Sequence, residues 1–115
     1  MKKLLVIAIS FTLYSFLMIA QDQPGSSISG KLVDKDTEEP VALANIRILQ
    51  RADSAFVTGK ASNADGVFTI PVRTGSYILH ISFIGYTDIY RDVQVTSSQP
   101  NVKLGNIILS NDNIL

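Results

Sequence analysis

His80 is the only imidazole in a chain without a single cysteine. Ser82 follows two residues later, a spacing that puts both side chains on one face of an extended segment. A histidine beside a hydroxyl is the smallest arrangement that could do nucleophilic chemistry, with the ring as general base. It also needs an orienting carboxylate, and no Gly-x-Ser-x-Gly elbow surrounds Ser82. The oxygen-rich residues Asp34, Asp36, Glu38, Glu39 and Asp65 are the candidates for holding a cation. Asp34-x-Asp36 resembles the start of a calcium loop but lacks the glycine and closing glutamate such a loop needs. One histidine cannot build a two-histidine zinc site, and absent cysteine removes thiolate ligands and a thiol nucleophile together. These carboxylates are therefore expected as solvated turn residues, with no catalytic, cofactor or metal role and no enzyme activity. Tyr86 and Tyr90 share a parity and are the best candidates for a partner-facing patch, whereas Tyr77 and Phe83 have the parity of a core. Tryptophan is absent, which leaves a glycan partner without an aromatic platform to support it.

The elements that must position these residues are short strands. Residues 63–86 carry the clearest pattern. Asp65-Gly66 turns into a strand bearing Phe68 and Ile70. Thr74-Gly75 turns into a longer one bearing Tyr77, Leu79, Ile81 and Phe83, and Gly85-Tyr86 ends it. Glycine supplies the positive φ of tight hairpins, and the alternation supplies a buried face. By that parity His80 points away from the main core and is exposed.

The same reading predicts strands over residues 28–33, 43–50, 55–61, 66–72, 76–84, 87–96 and 102–109. Ile28, Gly30 and Leu32 share a face of the first, and Ala44, Ile46 and Ile48 point inward from the second. In the sixth, Arg91 interrupts the parity of Ile89, Val93 and Val95, as an edge position or a bulge would allow. In the seventh, Gly105-Asn106 shifts the alternation by one residue, again the mark of a bulge. Seven short strands with turn signals at roughly 8–12-residue spacing indicate a seven-stranded antiparallel β-sandwich.

Residues 1–20 read as a secretory signal peptide. Lys2 and Lys3 precede an uncharged apolar run, and Ala20 is small enough to stand before a cleavage point. Residues 21–27, with Pro24-Gly25, are a linker, 28–109 the sandwich and 110–115 a tail. Cleavage after Ala20 would leave eight basic and ten acidic residues, a formal charge of −2, which is no footprint for nucleic acid. About 95 residues then remain, enough for one domain held together by packing alone.

The frame Gly30-Lys-Leu-Val-Asp34, Glu39-Pro40-Val-Ala-Leu-Ala44-Asn-Ile-Arg-Ile48, Asn63-Ala-Asp65-Gly66-Val-Phe68, Gly75-Ser-Tyr77-Ile-Leu79 and Phe83-Ile-Gly85-Tyr86 resembles the carboxypeptidase regulatory-like domain. The resemblance covers residues 28–109 and implies a transthyretin-like (prealbumin-like) sandwich with a carbohydrate-binding-like fold. Domains of this kind, with the Ile-Gly-Tyr ending, stand at the N-terminus of exported Bacteroidetes proteins, before the plug and barrel of TonB-dependent, SusC-like outer-membrane receptors. The resemblance thus implies a non-catalytic accessory domain, a spacer or docking module on the periplasmic face of the outer membrane. Its partner would be a receptor plug and barrel or another envelope protein, and the chain would be an N-terminal fragment of that receptor. The alternative is a free-standing exported module for binding or adhesion to glycan or peptide. The metallocarboxypeptidase active site lies in a different domain of that family's proteins, and its zinc motif is absent here.

Overall fold

Alternation and turn chemistry divide residues 25–111, the part described by this computed structural model, into seven strands. They are β1 Ser26–Asp34, β2 Asn45–Gln50, β3 Phe56–Ala61, β4 Val67–Val72, β5 Gly75–Ser82, β6 Ile89–Val95 and β7 Asn101–Leu109. The expected signal peptide, residues 21–24 of the linker and residues 112–115 of the tail lie outside the described residues.

The strands form two sheets, one in the order β4-β1-β7 and the other β3-β2-β5-β6. The sandwich is as expected, with one local difference. β1 pairs antiparallel with β4 but parallel with β7, from Ser27 opposite Asn101 to Asp34 opposite Leu109. Alternation reports which face is buried but not which way a neighbour runs, so this pairing was not legible from residue parity. The predicted bulge in the last strand is present: the β1–β7 register shifts between Ser29 and Lys31, and Gly105 has φ 70°. β6 lies at a sheet edge, where Arg91 reaches solvent.

The inward faces meet in one core. Ile28, Leu32, Phe68, Ile70, Val72, Ile107 and Leu109 come from the first sheet. Ala44, Ile46, Ile48, Tyr77, Leu79, Ile81, Val93 and Val95 close on them from the second or its approaches. Each large side chain here contributes roughly 1.5–3 kcal/mol through burial, which is how a chain without cysteine can fold. Buried Tyr77 keeps its hydroxyl satisfied by donating to the Arg73 carbonyl at 2.7 Å.

Three expectations need correction. β2 starts at Asn45 rather than Leu43, because Leu43 sits at φ 63° and its side chain is 72% exposed. Phe83 is not in the core: β5 ends at Ser82, the chain turns with Tyr86 N–H donating to the Phe83 carbonyl, and Phe83 is left 38% exposed. His80 does lie on the face opposite Leu79 and Ile81, but it is only 8% exposed. Side chains from both neighbouring strands, Arg47 on β2 and Tyr90 on β6, close over it.

Ser62 was not singled out by pattern, yet it is buried and ties the β1–β2 connection to the end of β3. Its Oγ accepts from Ala44 N–H at 3.0 Å and donates to the Val41 carbonyl at 2.8 Å.

Because β1 and β7 run parallel, the described chain enters at one pole of the sandwich and leaves at the other. The β1–β2, β3–β4 and β5–β6 connections lie at the leaving pole. The β2–β3, β4–β5 and β6–β7 connections lie at the entering pole.

Candidate functional site

Register brings one polar row together on the outer face of the four-stranded sheet. Gly59, Arg47, His80 and Tyr90 are successive cross-strand neighbours on β3, β2, β5 and β6. The Phe56 ring leans over Gly59, and the Arg47 guanidinium lies 5.5 Å from its centroid, within range of a cation–π contact. On the other side Arg47 Nη1 lies 3.4 Å from His80 Nδ1. His80 Nε2 lies 3.0 Å from Asp88 Oδ2, and the imidazole stacks on Tyr90 with centroids 4.4 Å apart and planes within 4°. Arginine can only donate, so Nδ1 accepts and Nε2 carries the hydrogen given to Asp88.

This arrangement bears on catalysis. The orienting carboxylate that a general base would need is present as Asp88. However, the lone pair that would take a proton already accepts from Arg47. Ser82, on the same face, contacts neither ring nitrogen; it lines a neighbouring depression. The row is a packed cross-strand ladder of hydrogen bonds and ring contacts. Arg47 was missed from sequence because it reaches His80 across strands, which only the pairing register reveals, and Asp88 because the β5–β6 connection folds it back onto the ring.

The Asp34-x-Asp36 segment is a turn, as expected, but Asp34 does more than face water. Its Oδ1 accepts from the N–H groups of Asp36 and Thr37 at 2.8 and 2.9 Å, and its Oδ2 accepts from the Tyr86 hydroxyl at 2.6 Å. Tyr86 is half-buried and also packs against the core, so it joins the two sheets at the leaving pole. Tyr90, in contrast, is 65% exposed. The two tyrosines named as a patch therefore have different surroundings.

The Tyr86 hydroxyl, followed by the backbone N–H groups of Thr37 and Asp36, lowers the Asp34 carboxyl from 3.8 to about 2. The same hydrogen bond raises the Tyr86 hydroxyl. A carboxyl lowered on folding stabilises the fold above its unfolded value, and that contribution is lost as pH falls toward the folded value. Stability should therefore drop between about pH 3.8 and pH 2. Tyr86→Phe should flatten that drop. Urea midpoints of both proteins, measured across that window, check it; parallel slopes would show that the bond is not formed in solution.

Among the described residues, no three His, Asp or Glu side chains converge in a way that could hold a metal ion. A shallow depression at the leaving pole is lined by Leu43, Asn45, Ser82, Phe83, Ile84 and Asp88. Leu43 and Ile84 are 72% and 94% exposed.

Solved structures that share the fold are distant. The major pilin subunit of Bacillus cereus, BcpA, aligns with a TM-score of 0.65 at 15% identity, over 76% of this chain and 30% of its own. The group B streptococcus pilus 2b backbone protein aligns at 0.55 and 18% identity, over 74% of this chain and 40% of its own. The 5-hydroxyisourate hydrolase of Klebsiella pneumoniae aligns at 0.58 and 17% identity, over 78% of this chain and 93% of its own. The chain spans less than half the length of these pilus proteins, and at such identities the likeness shows the fold alone. No curated protein matches the sequence. The model of the carboxypeptidase regulatory-like (CarboxypepD_reg-like) domain matches residues 28–115. That family is a non-catalytic, regulatory-like module, and some enzymes share its sandwich at low identity. The chain belongs to the carboxypeptidase regulatory-like domain family.

Proposed function

We propose that this chain is a non-catalytic accessory domain of an exported TonB-dependent outer-membrane receptor, a folded spacer or docking module on the periplasmic side, before the plug and barrel. The observation that carries this reading is the parallel β1–β7 pair, which places the two ends of the domain at opposite poles. A module built so can stand in line between an export signal and a following domain. Nine-residue strands at about 3.3 Å per residue separate its ends by roughly 30 Å. Lys2-Lys3 and the apolar run behind them support export, and the family match supports a modular role.

The test combines cell fractionation of an epitope-tagged chain with the reading frame beyond Leu115. Recovery with the outer membrane, and a frame that continues into a plug, is the expected result. A soluble periplasmic product closed by a stop codon would replace this reading with the free-standing binding module.

A further inference from the structure

We infer that the leaving pole is a docking surface for a polypeptide segment carrying an aliphatic side chain flanked by lysine or arginine. This names the face and partner chemistry behind the docking role proposed above and rests on that role. It does not depend on which host protein carries the domain.

Three observations meet at this pole. The first is apolar exposure. Leu43, Phe83 and Ile84 come from two different connections and line one depression, at 72%, 38% and 94% exposure. Asn45, Ser82 and Asp88 complete its lining, so an entering aliphatic group would find polar partners for the backbone that carries it. Apolar groups collected at one place and rimmed by polar ones mark protein contact surfaces more often than single exposed leucines do.

The second is backbone strain. Leu43 adopts φ 63°, a conformation that bulky side chains avoid and that asparagine or glycine tolerates. A leucine here neither relieves the backbone nor fills the core. Its side chain is held outward at a backbone cost, and such outliers cluster at binding positions.

The third is charge. Asp34, Asp36, Glu38, Glu39, Asp65 and Asp88 stand on the leaving-pole connections or at their borders, with Lys35 the basic residue among them. The entering-pole connections carry Arg51, Asp53 and Arg73. The connections are thus polarised between the two poles, with Lys31 and Lys60 on the strands near the acidic end, and a cationic partner is drawn to the end where the apolar groups lie. The same field disfavours an anionic lipid surface.

The test uses the purified full chain and three fluorescein-labelled synthetic peptides: a leucine pair flanked by lysines, the same peptide with serine for leucine, and with glutamate for lysine. The lysine–leucine peptide should bind saturably, with affinity falling as salt rises, and the two controls should bind about tenfold or more weakly. Amide shifts on binding should map to Leu43, Phe83, Ile84 and Asp88. Leu43→Asn should leave the melting temperature equal or higher, because asparagine tolerates the backbone angle, yet weaken binding about tenfold. Ile84→Ser should do likewise, and Arg73→Gln at the other pole should change nothing. Equal binding of the serine control, shifts confined to another face, or unchanged affinity in Leu43→Asn would each overturn the inference. So would concentration-dependent self-association through these residues, which would make the occupant a second copy. A receptor frame beyond Leu115 with no peptide binding would leave the accessory role standing and remove the docking surface.

Discussion

Leu79→Ala is expected to destabilise the domain by roughly 2–5 kcal/mol, the range for truncating a fully buried leucine. Leu79 is 0% exposed, lies opposite Ile48 on β2, and belongs to the core shared by both sheets. Its neighbours stand on β-strands that cannot close around a lost side chain without breaking register, so most of the cavity should persist. The adjacent change is the more informative comparison. From parity alone, His80→Ala should behave as a surface substitution, at about 0.5 kcal/mol or less. The structure instead predicts about 1–3 kcal/mol, from the lost stacking on Tyr90 and the hydrogen bonds to Asp88 and Arg47. Urea denaturation of both variants, with unchanged m-values, decides between the two. A near-neutral His80→Ala would mean that the Phe56–Arg47–His80–Tyr90 row contributes no packing.

This pair of residues also shows what residue order reveals and what it hides. Period-2 alternation identifies the inner faces because a sandwich core demands apolar side chains at every second position of paired strands. Ile28 and Leu32, Ala44, Ile46 and Ile48, Phe68 and Ile70, and Tyr77, Leu79 and Ile81 are all buried as parity required. The outer face carries no such demand. His80 reads as exposed until the register sets Arg47 and Tyr90 beside it, and register is a property of three strands at once. The candidate site suffers most from this. Asp34 and Tyr86 were each noticed alone, but their bond spans 52 positions in sequence and depends on both sheets being docked.

Phe83 failed for a different reason. Parity extends only as far as the strand does, and β5 stops at Ser82 because the chain must turn through Gly85 at φ 92°. Beyond that point the aromatic packed against the core is Tyr86, while Phe83 swings to the surface and stacks at 6.1 Å from it. Strand ends are set by turn geometry, so the last residue of an alternating run is the least secure member of its face.

Gly66→Ala is expected to cost roughly 2–5 kcal/mol, although it adds only one methyl group to a turn. Gly66 has φ 75°, where an L-residue carries a penalty of about 1–2 kcal/mol. Steric crowding adds to it. A Cβ at this position would stand 2.5 Å from the Leu32 carbonyl oxygen and 3.1 Å from both Pro40 Cβ and Val41 N. These are mostly backbone atoms that cannot rotate aside. Leu32 N–H donates to the Gly66 carbonyl at 2.8 Å, and Val41 N–H donates to the Leu32 carbonyl at 2.9 Å. The turn, β1 and the β1–β2 connection are thus locked at one point, and moving any of them disturbs the others. Asn63 holds the turn from the opposite side, its Oδ1 accepting from the N–H groups of Asp65 and Val67 at 2.9 Å each. Gly105→Ala is the matched control. Gly105 has φ 70°, but nothing lies within 4 Å of its would-be Cβ, so its cost should be the backbone part alone, about 1–2 kcal/mol. Urea midpoints of the two variants separate the contributions. A Gly66→Ala loss no larger than that of Gly105→Ala would show that β1 and the β1–β2 connection yield freely, and that the three-way contact at Leu32 does not hold the leaving pole together.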